Sequence, residues 1–446
     1  MKYKYQKVYK YKRYPHFDNR IHWRYVKHKV ENPEYIIHHS FYPFIHFTKV
    51  MFKYPQKYLN ASGSKSNKRD DPKTRSIMYS AHIDRYIYEH YSSMLNKQYN
   101  RYVKINGTNR CAVAYRNCFL GKNNIHFAKE AFDFIRKTNS ALVIIGDFTS
   151  YFDNIDHKYL KEQLCKVLQK SKLPDDYYAV YRSITKYSWM ELDEIRKYKG
   201  IKRKEFNKLE RIFSPDEFRL YKKEHIKTNK EQYGIPQGSA ISATFSNVYL
   251  IDFDKEINDY ITSREGLYRR YCDDFIIVLP WGDDTENKKT IEYVFQTIKN
   301  TPGLQLQSQK TQIYHYEKQQ IINCNESYLD NTVNGVNHIS YLGFTFDGEK
   351  ITIRSKTIAK YYKRMYRKID TITKCHGVSR SGKKIPLRNL YKAYSYKGKQ
   401  VKGKKRGNFL SYVDRALEVF GEDEAIDRGT KRAWGKMQKR LKSDRV

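Results

Sequence analysis

Long apolar runs are missing from this 446-residue chain. No stretch approaches the ~18 consecutive apolar residues that a bilayer span needs. The start, Met-Lys-Tyr-Lys-Tyr, is basic but has no apolar core behind it, so the sequence reads as cytoplasmic, without a secretion signal. Cysteine is scarce as well. Cys111, Cys118, Cys165, Cys272, Cys324 and Cys375 form no CxxC pair, and His376 beside Cys375 lacks further ligands at zinc spacing. Reduced thiols and no structural zinc are expected. Acidic residues are the third shortage: 48 Asp and Glu face 86 Lys and Arg, a formal charge of +38. Self-repulsion of that size destabilises a compact fold unless an anionic partner offsets it.

Aromatic residues are abundant instead, with 42 tyrosines and 22 phenylalanines. Their faces can stack on unpaired bases, which points to nucleic acid, although an AT-rich genome also enriches Tyr and Lys. Residues 1–72 read as a basic Tyr/Lys-rich N-terminal extension, with a polar linker at Asn60–Asn67. Helical spacing runs from Ser80 to about Asn96 through Ile83, Ile87, Tyr91, Met94 and Leu95. Ala141–Asp147 is an apolar run ending on an acid and reads as a buried strand. The helix His157–Gln169 follows, with Asp156 as its cap. About 170–230 is a highly charged insertion of helical character, either a solvated face or an RNA-binding surface. Beyond it come a helix at Ala243–Tyr260 and a hairpin at Arg270–Leu279. From Arg354 onward, 28 basic and 8 acidic side chains accompany helical phrases at Ile358–Ile369, Leu410–Phe420 and Arg428–Leu441.

Two segments place acids where chemistry can use them. In Arg269-Arg270-Tyr271-Cys272-Asp273-Asp274-Phe275-Ile276-Ile277-Val278, adjacent carboxylates fall at the tip of a hairpin. They repel each other and tolerate burial poorly unless a cation sits between them. In Val143-Ile144-Ile145-Gly146-Asp147-Phe148, a third carboxylate ends a strand and can converge on that tip if the strands are neighbours. Three oxygen ligands, completed by water and substrate phosphates, suit Mg²⁺. Two such ions can activate a 3′-hydroxyl and stabilise departing pyrophosphate. Asp153, Asp156 and His157 read as caps of the next helix, and Asp283-Asp284 as a solvated loop.

With a third segment, these residues resemble the reverse-transcriptase family. Gly234-Ile235-Pro236-Gln237-Gly238-Ser239-Ala240-Ile241-Ser242 matches the family's G-x-P-Q-G-S-x-x-S block and stands in family order between the acid motifs. Physically, Gly234 and Gly238 would permit close approach of backbone to a nucleotide, and an exposed helix start would offer N–H donors. Lys73-Thr74-Arg75-Ser76-Ile77 resembles the fingers motif, Leu304–Thr311 the motif bearing a lysine near the leaving group, and Tyr341-Leu342-Gly343-Phe344 the primer grip. The resemblance spans about 73–350.

That resemblance implies an α+β right-hand polymerase, with fingers and palm over 73–353 and a basic helical thumb over 354–446. It implies that Asp147, Asp273 and Asp274 are catalytic and, with the Phe148 backbone carbonyl, hold two Mg²⁺ ions, Mn²⁺ being possible. Lys73, Arg75, Phe152, Gln237 and Lys310 would contact the incoming deoxynucleoside triphosphate, and Leu342, Gly343 and Phe344 the primer. Phe152, five residues after Asp147, would be the steric gate against a ribose 2′-hydroxyl; RNA-copying RNA polymerases typically carry Asp there. Cys272 fills the variable position of Tyr-x-Asp-Asp.

Ala114-Tyr115-Arg116 before the first acid, the Tyr-Cys-Asp-Asp hairpin and the Lys/Tyr-rich ends resemble bacterial retron, abortive-infection and defence-associated enzymes, most of all type 2 defence-associated reverse transcriptases. This implies antiphage function and a partner non-coding RNA copied into cDNA. Arg354–Val446 lacks the Val-Thr-Gly phrase of retron thumbs, and no HNH cluster or spaced RNase H acids accompany the polymerase motifs. Template-independent or protein-primed synthesis, and a maturase-like RNA-binding role, remain alternative readings. Oligomeric state is left open.

Overall fold

The computed structural model describes residues 9–51, 73–329, 335–378, 382–401, 403, 407–422 and 424–443; the extreme N-terminus and the polar stretch Asn60–Asn67 lie outside them. Helix α1 (Trp23–Val30) is capped by His22, and α2 (Pro33–Ile37) by Asn32. Strands β1 (Phe44–Met51) and β2 (Lys73–Tyr79) form an antiparallel ribbon with Ile45 opposite Tyr79. The long α3 (His82–Ile105) buries Ile87, Tyr91 and Leu95, the stripe its spacing predicts. Helix α4 (Asn124–Thr138) opens with a capping box at Asn123 and leads into β3 (Ser140–Asp147). Asp156 caps α5 (His157–Leu168) by accepting from the Tyr159 N–H at 2.7 Å.

The charged insertion holds α6 (Asp175–Thr185), β4 (Ser188–Glu191), α7 (Leu192–Lys199), α8 (Arg203–Phe206), α9 (Pro215–His225) and β5 (Lys227–Thr228). Next come α10 (Ser242–Tyr249) and α11 (Ile251–Thr262), then the hairpin of β6 (Leu267–Tyr271) and β7 (Asp274–Pro280). Helix α12 (Asp284–Asn300), strands β8 (Gln312–Glu317) and β9 (Gln320–Asn323) and α13 (Asn325–Tyr328) follow. A small meander of β10 (Ile339–Tyr341), β11 (Phe344–Phe346) and β12 (Ile351–Ile353) precedes the C-terminal helices α14 (Ser355–Lys374), α15 (Leu387–Tyr394), α16 (Phe409–Phe420) and α17 (Ala433–Ser443).

The fold is α+β. Its central sheet runs β6-β7-β3-β8-β9, all antiparallel. β3 is buried on both faces because alternate residues enter two cores. Leu142 and Ile144 pack with α3, α5 and α10, whereas Ala141 and Val143 pack with α4, α16 and the β10–β12 meander. The C-terminal helices also share a core of their own around Met365, Ile369 and Met437. Among the described residues no helix is long and apolar enough to cross a membrane.

Four sequence expectations change. The helix expected over Ala243–Tyr260 is two helices, broken at Leu250 (φ −103°, ψ 22°). The helix expected from Arg428 begins at Ala433. The insertion is not wholly helical, since β4 pairs parallel with β1. Residues 9–51 are likewise no loose extension: β1 is an interior strand of the sheet β2-β1-β4-β5. The physical reason is shared burial. Phe17 and Ile45 from the N-terminal segment join Met190, Ile195, Phe206 and Phe213 of the insertion in one core that neither segment could close alone.

Candidate active site

Antiparallel register decides which acids meet. Asp147, last residue of β3, stands directly opposite Asp274, first residue of β7. Tyr271 also pairs with Asp274, so Cys272 and Asp273 form a two-residue turn. Cys272 adopts φ +65°, an unfavourable angle for a side chain with a Cβ. Arg270 holds it there: its Nη1 donates to the Cys272 carbonyl at 2.9 Å. The Arg270 guanidinium is fully buried and forked onto the equally buried Asp254, with Nε–Oδ1 at 2.8 Å and Nη2–Oδ2 at 2.6 Å. Tyr268 donates to the same carboxylate at 2.8 Å. Removing one member of such a pair costs roughly 3–5 kcal/mol. Sequence reasoning missed Asp254; its only signal is an acid inside the otherwise apolar stripe of α11. Burial pushes the Cys272 thiol up to about 12, so it is an inert wedge beneath the turn.

Gly146 makes room for this turn. A Cβ there would stand 2.3 Å from the Phe275 ring, which fills the space beneath the acids. Beyond Asp147 the chain stays anchored: Phe148 N–H donates to the Asp273 carbonyl at 3.2 Å. Its pairing with Leu306 runs through the carbonyls of Asp147 and Gln305, leaving the Phe148 carbonyl out of that ladder.

Asp147 is 7 % exposed, and the Lys310 ammonium is paired directly with its carboxylate. Lys310 lies in a single 3₁₀ turn, Ser308–Lys310. Asp274 is open to the cleft on one side. Withdrawal from bulk water, then the charges of Asp273 and Asp147, push its pKa up to about 6, against the lowering influence of Lys310 and Arg354. The donors gathered here are carboxylate and carbonyl oxygens, which fit Mg²⁺ or Mn²⁺ and not a thiolate-seeking metal. Among the described residues no three His, Cys, Asp or Glu side chains form a ready-made metal cluster.

The G-x-P-Q-G-S block lies against this site, but its glycines serve protein packing. At Gly234 (φ +86°) a Cβ would stand 3.0 Å from the Asp153 carbonyl oxygen, and at Gly238 (φ +121°) 2.3 Å from that of Met78. Met78 N–H donates to the Gln237 carbonyl at 2.8 Å, tying the block to β2. The helix start expected to be exposed is buried at Ile241 and Ser242, and Ser242 Oγ donates to the Pro236 carbonyl. Asp153 is no cap: its carboxylate faces Gln237 Nε2 at 3.4 Å. His157 pairs its Nε2 with the Gly234 carbonyl at 2.8 Å, another packing role. Phe152, in the 3₁₀ turn Tyr151–Asp153, is half-buried edge-on to Tyr151, and its carbonyl accepts from Ile235 N–H at 2.9 Å. Phe152 and Gln237 thus sit on one braced unit.

Arg75 is exposed on β2, opposite Lys49, and Lys73 begins that strand opposite Met51. Leu342 (φ +45°) and Gly343 (φ +94°) form the tight turn between β10 and β11. Asn124 at the head of α4 clamps it, donating to the Leu342 carbonyl at 2.9 Å and to Tyr412 of α16 at 3.1 Å. Phe344 is buried beneath. Asp283 and Asp284 are not merely solvated: Asp283 caps α12, and Asp284 accepts from Tyr328 at 2.7 Å.

Residues 94–346, more than half of the chain, match the family described as reverse transcriptase (RNA-dependent DNA polymerase). Among solved structures, apo telomerase from Candida tropicalis truncated from its C-terminal domain aligns at 12 % identity and TM-score 0.41, over 64 % of this chain and 53 % of that one. Telomerase from Candida albicans in complex with a TWJ fragment of telomeric RNA aligns at 11 % identity and TM-score 0.40, over 94 % and 66 %. The RNA-dependent RNA polymerase of a human picobirnavirus aligns at 10 % identity and TM-score 0.33, over 63 % and 43 %. The chain therefore spans less than two thirds of the length of these structures. No curated protein matches the sequence. With its acid strands, turn and G-x-P-Q-G-S block all inside the matched span, this chain belongs to the reverse transcriptases, the RNA-directed DNA polymerases.

Proposed function

We propose that the chain copies a partner non-coding RNA into cDNA in bacterial antiphage defence, at a centre formed by Asp147, Asp273 and Asp274. The observation that carries the chemistry is the pairing of Asp147 with Asp274 across β3 and β7, with Asp273 in the adjoining turn. These three carboxylates and the Phe148 carbonyl would hold two divalent ions, which when bound lower the pKa of a primer 3′-hydroxyl and offset charge on departing pyrophosphate. The chain's own groups do the rest. Lys310, already beside Asp147, brings a proton to the leaving-group side. Phe152 bars the ribose 2′-hydroxyl from a position fixed by its bond to the Gln237 block. Arg75 and Lys73 on the basic β1–β2 ribbon meet the triphosphate, and the Leu342–Gly343 turn, with Phe344 beneath it, seats the primer. The fingers, palm and thumb divide as 73–353 and 354–446, with residues 9–51 belonging to the fingers. The defence role rests on the Tyr-Cys-Asp-Asp hairpin and Lys/Tyr-rich ends shared with that group.

The test is deoxynucleotide incorporation by the purified protein on the RNA that co-purifies with it, in Mg²⁺. Asp273→Ala/Asp274→Ala should abolish incorporation and restore phage plating together. Incorporation at the parental rate by this double variant would overturn the catalytic assignment. Product that survives prior RNase digestion would overturn RNA templating in favour of template-independent or protein-primed synthesis. Undiminished phage protection by the double variant would favour a maturase-like RNA-binding role.

A further inference from the structure

The sheet β2-β1-β4-β5 lines up three side chains that share no sequence motif. His46 on β1 stands opposite Met78 of β2 and, on its other edge, opposite Glu191 of β4. Ser76 is two residues from Met78, so strand alternation turns Ser76, His46 and Glu191 to one face. They touch in that order. Ser76 Oγ lies 2.9 Å from His46 Nε2, and His46 Nδ1 lies 2.6 Å from Glu191 Oε2. A carboxylate only accepts, so Nδ1 carries the ring proton and Nε2 is left as the acceptor for the Ser76 hydroxyl. Glu191 is anchored through its other oxygen: Oε1 accepts from Trp189 Nε1 at 3.1 Å and from Lys227 Nζ at 3.3 Å, which leaves Oε2 to His46. This is the order of a nucleophile, its base and the group that orients the base.

The base and its carboxylate are sheltered, 15 % and 26 % exposed, whereas Ser76 is open to solvent. A reagent can therefore reach the hydroxyl. Phe44 and Met78, the neighbours of His46 and Ser76 in the same two rows, enter the core that holds Phe148, Tyr151 and Ile235. The three side chains thus begin where that core ends. Met78 N–H is bonded to the Gln237 carbonyl, so Ser76 lies about 7 Å along β2 from the G-x-P-Q-G-S loop. The electrophile that a reverse transcriptase draws toward that loop is the phosphoric anhydride of a nucleoside triphosphate.

We propose that Ser76 is a nucleophile in its own right, with His46 as general base and Glu191 as positioning residue, and that it accepts the nucleotidyl group of a deoxynucleoside triphosphate. Ser76 Oγ attacks the α-phosphorus. A Ser–O–P bond forms, the bond to the bridging α–β oxygen breaks, and pyrophosphate leaves with that electron pair. The hydroxyl proton passes to His46 Nε2, and the imidazolium faces the Glu191 carboxylate. The product is a serine phosphodiester. No group of the Asp147, Asp273 and Asp274 centre takes part, which separates this reaction from synthesis primed at that centre. The choice of substrate rests on the polymerase reading above; the nucleophile does not.

The full chain carrying Asp273→Ala/Asp274→Ala is incubated in Mg²⁺ with dideoxyadenosine triphosphate radiolabelled at its α-phosphate, so that neither templated synthesis nor extension contributes. The expected result is label that survives boiling in detergent and maps by mass spectrometry to Ser76. Adding Ser76→Ala should abolish it, while the melting temperature stays that of the double variant because the side chain is exposed. His46→Ala should lower the labelling rate about a hundredfold. Imidazole in the buffer should restore part of that rate, which a merely structural histidine would not allow. Glu191→Gln should lower the rate and Glu191→Asp recover it in part. No label, label undiminished by Ser76→Ala, or reaction of Ser76 with a fluorophosphonate but not with the nucleotide would overturn the proposal. Label at Ser76 in the parental protein but none in the double variant would assign the serine to priming at the three carboxylates and overturn an independent site. A parental protein that takes label at Ser76 yet incorporates no nucleotide on RNA would sink the polymerase reading alone.

Discussion

At Asp274 the surroundings oppose the charged form of the side chain. Its pKa of about 6 exceeds the ~3.9 of an unfolded Asp, so the folded chain binds this proton more tightly. The sign follows from linkage: the stabilising contribution is complete below pH ~4 and is lost as pH rises through about 6. At neutral pH the ionised carboxylate opposes folding until a cation joins it. Asp274→Asn should therefore melt higher than the parental protein in EDTA, with the difference growing between pH 4 and 6 and constant above. Mg²⁺ should raise the parental melting temperature at pH 7.5 and leave the variant unmoved. A pH-independent difference would show that Asp274 is not strained by its neighbours. The positions of the three acids were legible in sequence because a continuous apolar run ending on Asp and an Asp-Asp between strand-like runs are local patterns. Arg270 and Asp254 were not, because a buried ion pair between a strand and a helix leaves no spacing to read.

Among elements, the G-x-P-Q-G-S loop packs Gly238 against the β2 backbone, where an added Cβ would meet the Met78 carbonyl. The loop is a splint between β2 and the Tyr151–Asp153 turn, bonded through Met78 N–H on one side and Ile235 N–H on the other. Gly238→Ala would combine an angle reserved for glycine with a clash against a carbonyl that cannot retreat. The expected loss is roughly 1–3 kcal/mol for the strained backbone and a similar amount for overpacking. Chemical denaturation would read it, and KM for deoxynucleotides should rise at least tenfold while RNA binding stays. Unchanged stability and KM would mean that the loop and β2 are not coupled. The hairpin of β6 and β7 came through from sequence because two strand-like runs flank a two-residue tip. The break at Leu250 did not, since both flanking segments keep helical periodicity and only the tertiary position of α11 distinguishes one helix from two.

Across the whole molecule, the N-terminal segment and the insertion complete each other. His46 of β1 bonds Glu191 of β4 at 2.6 Å across 145 residues of sequence, and β1 supplies hydrogen bonds on both edges, to β2 and to β4. No local signal announces such a pairing, which is why each segment read as a charged appendage. The +38 charge disguised them further, because their apolar residues are diluted among lysines. An appendage can be cut away; an interior strand cannot. Deleting residues 1–51 removes Phe17 and Ile45 from a closed core and leaves β2 and β4 with unpaired edges. The truncated chain should express mainly as aggregate. Its soluble fraction should be cleaved within 188–228 by a protease that leaves the parental insertion intact. Deoxynucleotide incorporation should vanish even though Asp147, Asp273 and Asp274 are untouched, since β2, which braces the Gln237 loop, loses its partner. A truncated protein that melts cooperatively, resists proteolysis across the insertion and extends primers would mean that β1 is dispensable and that the two segments fold independently.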